Sequence, residues 1–255
     1  MKIKHAVLFG DTHVPYQDEA ALDAVSDLIE KVRPSVLVHM GDFFDCMQLD
    51  SKFLKDPLWR DSVQDNIDAG ADILNAFGSL APKAKLWLLE GNHEDRLRRA
   101  IWSMSDNHRT VAGMRVFEKY ITWPSILKDA GVKRWQWLPM DDQSSTEILP
   151  NLILKHGDLV RGHSGMSARA EWDKYHQNGA SGHTHRLGWF LHRTKDATQS
   201  WAETGCTCGL NPRYTRDPNW HHGAIVVAYT DDWYNMEFVY IEDGRGRWRD
   251  QWVGG

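Results

Sequence analysis

The sequence predicts an α/β fold: a sheet with helices packed on it, followed by a strand-rich second layer. Three observations predict it. Through residue 89, short apolar runs alternate with segments of helical period. The runs end on short turns built from Gly with Asp, Asn or His. Beyond about residue 187 the helical period gives way to short β-rich runs separated by Gly, Pro, Asn and Asp.

In order, Ile3–Phe9 reads as a buried strand that stops at Gly10-Asp11. Glu19–Val32 has apolar residues at Ala21, Leu22, Val25, Leu28, Ile29 and Val32, a helical spacing that Pro34 closes. Val36–Met40 is a second strand, ending at Gly41-Asp42. Ser62–Leu80 is again helical through Val63, Ile67, Ala71, Leu74 and Phe77, with Pro82 beyond its end. Lys85–Leu89 is a third strand running into Gly91-Asn92-His93. This β-α-β-α-β order places ligand-bearing loops after the carboxyl ends of strands.

Glu94–Met104 reads as a helix carrying Arg96, Arg98 and Arg99. Residues from about 105 to 150 have weaker periodicity and many aromatics, and are expected to form a cap or elaborated connection on a single domain of residues 1–255. Asn151–Lys155 is a strand before His156-Gly157-Asp158, Ser164–Tyr175 a helix, and Ala180-Ser181-Gly182 leads into His183-Thr184-His185. Leu187–Arg193, Gln199–Thr204, Ala224–Tyr229 and Asn235–Ile241 are expected to form a meander, a second sheet packed on the first. Gly244–Arg249 reads as a small basic and aromatic tail.

At 255 residues the chain is long enough to bury a substantial core. A net charge of −5 gives no global basic signal for nucleic acid. No run approaches the roughly 18–20 apolar residues of a membrane span, and the apolar N-terminal run is too short for a signal peptide. Three cysteines make no disulfide framework, so a reducing cytoplasm is the expected compartment. Cys206 and Cys208 are expected to pack rather than bind zinc, because no second Cys or His pair lies nearby. The 13 tryptophans cluster at Trp123–Trp137 and Trp233–Trp252. They read first as packing, with base stacking as the alternative.

The motifs carry the chemistry. Asp11 and His13 are two apart after a strand end and can turn onto one cation. Asp42 is placed to bridge two ions with its two oxygens. Asn92 offers a neutral oxygen, and His156, His183 and His185 offer imidazoles. This mixed set favours Mn, Fe, Zn, Co or Ni over Ca or Mg. Two adjacent divalent ions restrict the chemistry to hydrolysis of a charged, poorly electrophilic centre, above all a phosphoester.

In the order D-x-H, G-D, G-N-H, H, G-H-x-H, these residues resemble the calcineurin-like metallophosphoesterases over roughly residues 5–190. The resemblance implies a four-layer α/β/β/α sandwich of two mixed sheets flanked by helices. It implies that Asp11, His13, Asp42 and His185 hold one metal ion, Mn being the first expectation, and that Asp42, Asn92, His156 and His183 hold the other. A hydroxide bridging the pair would be the nucleophile. His93 would be catalytic, stabilising phosphoryl oxygens or donating a proton to the leaving group. The second motif reads Gly41-Asp42-Phe43-Phe44-Asp45-Cys46. Cys46 stands where protein phosphatases of this superfamily have a phosphate-contacting Arg. That departure points to the bacterial and phage-type phosphodiesterases, nucleases and small-molecule phosphatases.

The substrate is expected to be a small or nucleotide-like phosphoester, met by Arg96, His108 and His163. Nuclease action on DNA or RNA is the alternative, supported by Arg96, Arg98, Arg99, Arg109, Arg245, Arg247 and Arg249. A non-catalytic binding module is a third reading. Asp158 is either a carboxylate behind His156 or a turn residue. Asp95 either orients His93 or, as favoured here, caps the arginine-rich helix. His221 and His222 could reach the site from the second sheet. The oligomeric state is left open.

Overall fold

A computed structural model describes residues 2–50, 55, 61–103, 120–143 and 148–255. The strands are β1 (Lys4–Phe9), β2 (Val36–His39), β3 (Lys85–Leu89), β4 (Trp135–Leu138), β5 (Ile153–Lys155), β6 (Gly179–Ser181), β7 (Leu187–Arg193), β8 (Thr198–Thr204), β9 (His222–Tyr229), β10 (Tyr234–Glu242), β11 (Arg245–Trp248) and β12 (Gln251–Gly254). The helices are α1 (Glu19–Val32), α2 (Val63–Leu80), α3 (Asp95–Trp102), α4 (Trp123–Asp129), α5 (Met140–Gln143) and α6 (Met166–Tyr175).

Eight strands form one sheet in the order β12-β11-β10-β9-β1-β2-β3-β4, and four form the other, β5-β6-β8-β7. The β1-to-β4 half of the large sheet is parallel and the β9-to-β12 half antiparallel. Both sheets are thus mixed. Strand alternation sorts the core into layers. Val7, Phe9, Leu37, Ala224 and Val226 face α1 and α2, while Ala6, Leu8, Val36, Val38, Ile225 and Val227 meet Leu152, Leu154, Ala180 and Ala202 of the second sheet. Trp172 and Ala168 of α6 cover the outer face of that sheet on Ile153 and Trp201. The result is the four-layer α/β/β/α sandwich.

Local chemistry sets the helix ends. The Asp18 side chain accepts from Ala21 N at 2.9 Å, a cap that contributes about 1 kcal/mol. Ser62 and Asp65 form a reciprocal capping box on α2. The left-handed Arg33 (φ 49°) ends α1 one residue before Pro34.

Three expectations are corrected. The strands after residue 187 do not form one sheet: β7 and β8 complete the smaller sheet, whereas β9 and β10 join the larger beside β1. The reason is burial on both faces of β9, every residue of which is buried, as suits a strand between covering layers. Gly244–Arg249 is no tail, because Arg245–Trp248 pairs with β12 as a sheet-edge hairpin. Within the expected cap, Trp135–Leu138 is the fourth parallel strand beside β3. Residues 104–119 and 144–147 of that region, with His108 and Arg109, lie outside the described residues. Trp123 stacks on Phe44 (centroids 4.9 Å) and Trp137 (5.9 Å) in a buried cluster, so these tryptophans pack.

Candidate metal centre

All five motifs reach one rim, because β1, β2, β3, β5 and β6 are parallel strands whose carboxyl ends carry them. The turns there are tight. Asp11, His13, Asp42, His183 and His185 all have φ between 51° and 70°, the left-handed region. Such backbone costs about 1–3 kcal/mol per residue and persists only where surrounding structure enforces it. Gly91 allows the closest approach: a Cβ there would lie 2.1 Å from Asp42 Oδ1.

Two donor clusters converge. In the first, His13 Nε2 lies 3.0 Å from His185 Nε2, and His185 Nε2 lies 3.3 Å from Asp11 Oδ1. In the second, His156 Nε2 is 3.1 Å from Asn92 Oδ1, 3.2 Å from His183 Nδ1 and 3.2 Å from Asp42 Oδ2. The same Asp42 Oδ2 is 3.8 Å from His13 Nε2, so it faces both. Its other oxygen is spent on His93 N, at 2.9 Å.

The far ring nitrogens are held from behind. Met40 O accepts from His156 Nδ1 at 2.9 Å, Asp45 Oδ2 accepts from His13 Nδ1 at 3.2 Å, and Cys208 Sγ is 3.8 Å from His185 Nδ1. This is how imidazoles are oriented for a cation. Pairs of imidazole nitrogens at 3.0–3.2 Å, beside carboxylate oxygens, bring the donor atoms close enough to share a cation. The donor set accepts divalent ions, and Asp42-His156-His183 and Asp11-His13-Asp42 are groups that could each hold one.

Charge balance agrees. Burial opposes a charge on His156, yet Asp42 and Asp11 outweigh it and lift its pKa to about 9. His185 is likewise raised against burial, by Asp11, to about 10. His183, partly desolvated and facing His156, falls to about 4. The carboxylates demand positive charge at this point, which protons provide when cations do not.

His93 lies at the edge of this cradle. Its Nδ1 donates to Asp45 O at 2.8 Å, and its Nε2 is 3.8 Å from Asp42 Oδ2. Arg96 joins it: Nη2 is 3.2 Å from His93 Nε2, Nη1 donates to Asp45 O at 2.6 Å, and Nε pairs with Asp50 at 3.0 Å. His163 is exposed before α6, and no hydrogen bond or ion pair among the described residues joins its ring to the cluster.

Other residues resolve differently. Asp158 turns away from His156 to Lys155 and Lys174, so it is not behind that ring. Asp95 receives Arg98 and Arg99 in the first turn of α3, the favoured structural role. His221 and His222 belong to the large-sheet side and brace loops: His221 N donates to His185 O at 2.8 Å, and His222 Nε2 to Cys208 O at 2.7 Å. Cys206 and Cys208 are buried in the loop after β8 rather than on a strand face, with Cys208 against His185.

Four contributors are absent from the sequence-based site. Asp45 holds His13 and also lies 3.4 Å from His93 Nδ1. Glu94 is wholly buried and accepts from the backbone N–H groups of Asp42, Phe44 and Gly91, joining the second and third motifs. Burial and the Asp42 charge push Glu94 up to about 7. Gln143 accepts from His156 N and donates to Glu90 O, tying the two sheets at the rim. Trp220 packs on the His185 ring at 4.1 Å. Asp45 stands within the quoted second motif and Glu94 directly follows the third, the one signal that could have found them; Gln143 and Trp220 carry none.

Two facing mixed sheets between helices, with an Asp/Asn/His cradle at the strand ends, define a metallophosphoesterase fold. The family model for calcineurin-like phosphoesterases matches residues 5–187, and the chain belongs to that family. No curated protein sequence matches it. Among solved structures it is similar to Vacuolar Protein Sorting 29 from Cryptosporidium parvum, at 11% identity and TM-score 0.51, covering 99% of each chain. Vps29 from Chaetomium thermophilum matches at 10% identity and TM-score 0.47, over 98% of this chain and 97% of that one. Yfce, a phosphoesterase from E. coli, matches at 13% identity and TM-score 0.38, over 91% and 98%. No described helix is long and apolar enough to cross a membrane.

Proposed function

We propose that the chain is a dinuclear-metal-dependent phosphoester hydrolase, a phosphodiesterase or phosphatase acting on a small or nucleotide-like substrate. The observation that carries this reading is the pair of donor clusters sharing Asp42 Oδ2, with His93 beside them. Asp11, His13, Asp42 and His185 would hold one ion, and Asp42, Asn92, His156 and His183 the other. Manganese is the first expectation, with Fe, Zn, Co or Ni as alternatives. When bound, such ions neutralise phosphoryl oxygens and activate water. The activity is carried on one domain spanning residues 1–255.

The protein's own groups do the rest. Asp45 fixes His93 through its Nδ1, leaving Nε2 at the mouth of the cradle. Burial disfavours charge on His93, but Asp42 and Asp45 outweigh it and raise its pKa. In its protonated form the ring would deliver the Nε2 proton to a departing oxygen. Arg96 brings a guanidinium to the same place from α3, although the second motif has Cys46 where an arginine would stand. With Nε held by Asp50 and Nη1 by Asp45, its Nη2 would be the group to bind a non-bridging phosphoryl oxygen.

Nuclease action is the alternative. Arg98 and Arg99 are engaged by Asp95 and Arg249 by Glu237, while Arg245 and Arg247 lie on β11, with β10 and β9 between them and β1. These arginines do not favour it.

The deciding assay presents Mn-loaded protein with a phosphomonoester, an aryl phosphodiester, a cyclic nucleotide, and single- and double-stranded DNA. Turnover of a small ester without DNA cleavage is expected. Hydrolysis of none of them overturns the proposal, and cleavage of DNA alone moves it to the nuclease reading.

A further inference from the structure

The loop between β8 and β9 is anchored on the cradle. Thr207 N donates to Gly10 O at 3.1 Å, Gly209 N to Tyr16 O at 2.9 Å and His221 N to His185 O at 2.8 Å. Arg186 Nε donates to Asn219 O at 3.1 Å. Both ends are therefore pinned to loops bearing candidate ligands, and Pro212 and Pro218 restrict the backbone between them.

What this loop displays is aromatic and basic. Trp220 is wedged between His185 (4.1 Å between centroids) and Tyr214 (6.3 Å). Tyr214 is 75% exposed. Desolvation raises the phenol's pKa. Arg213 and Arg216 make no ion pair among the described residues, unlike Arg96, Arg98 and Arg99. On a chain of net charge −5, the tip from 212 to 218 carries two arginines against one aspartate.

Tyr214 stands largely in water, joined to the His185 ring through Trp220. Its open face suits a planar, sequence-tolerant partner, as in base stacking, and the unpaired guanidiniums suit phosphate. The Tyr214–Trp220 spacing and their 57° tilt leave no slot between them, so the partner must lie on the outer face of Tyr214.

We propose that Tyr214 is a specificity residue that stacks the base of a nucleoside phosphodiester. The proposal rests on the phosphoesterase reading above and names its substrate class.

The test compares two diesters with one leaving group, thymidine 5′-(4-nitrophenyl) phosphate and methyl 4-nitrophenyl phosphate, on the Mn-loaded full chain. The quantity read is the ratio of their kcat/KM values. The native chain should prefer the nucleoside diester. Tyr214→Ala should lower that ratio by about 5- to 150-fold, the range for loss of one base stack. Tyr214→Phe, which keeps the ring, should restore it. Turnover of both diesters with no preference, or a ratio unmoved in Tyr214→Ala, overturns this proposal and leaves the phosphoesterase standing. Turnover of neither overturns the phosphoesterase reading itself.

Discussion

The cradle at the strand ends and the loop over residues 209–221 meet at one contact, Trp220 against His185, yet they are built by opposite rules. In the cradle Asp11, His13, Asp42, His156 and His185 are buried, several turns are left-handed, and the far nitrogens of His13, His156 and His185 are held from behind. In the loop, Tyr214 is open to solvent, and Arg213 and Arg216 have no ion-pair partner among the described residues. The contrast separates two tasks. Chemistry needs donors fixed to within fractions of an ångström, and selection needs an accessible face that a substrate can complete.

The largest expected effect is at the residue both clusters share. Asp42→Asn keeps the volume and removes the charge, so kcat/KM should fall roughly a thousandfold or more, as expected when the metals' charge stabilisation is lost. Metal analysis should show occupancy reduced at both positions. Retention of two ions and of activity would break the assignment of Asp42 as the bridge.

Next comes His93, which belongs to the cradle's edge and is not assigned to either ion. His93→Ala should lower kcat by about 10²–10⁴, the range for a lost general acid. The bound metal should be unchanged by elemental analysis. Loss of an ion instead would make His93 a ligand and move the edge of the cradle.

The smallest effect is on pH. His156 and His185, at about 9 and 10, carry protons at neutral pH in the metal-free protein. A cation must displace them, and the protonated fraction grows as pH falls, so binding weakens toward acid. Between pH 6 and 8 each ion's affinity should rise about tenfold per pH unit, one proton being released per ion. Chelator competition at three pH values measures this. A flat profile would separate the raised pKa values from metal binding.

Much of this was legible in the chain. The helical spacing of α1 and α2 and the strands β1 to β3 are written in residues close together, and the structure matches them within a residue or two. The motifs were legible for a related reason: strand-end turns need Gly, Asp, Asn or His, whatever else the fold does. The placement of β9 was not legible. Ala224–Tyr229 reads the same whether it extends one sheet or the other, and only pairing with β1, more than two hundred residues away, decides it. Asp158 failed similarly, since its adjacency to His156 says nothing about the pull of Lys155 and Lys174.

By itself, then, the sequence determined the layered α/β architecture and the inventory of oxygen and nitrogen donors, because periodicity, caps and turn chemistry act over a few residues. Tertiary structure alone decided how the donors divide into two clusters around Asp42. It also decided that Asp45, Glu94 and Gln143 hold those clusters in place, and that Tyr214 and Trp220 stand beside His185. Those outcomes depend on which loops meet at the rim where two sheets face each other, and the packing of side chains far apart in the chain sets that meeting.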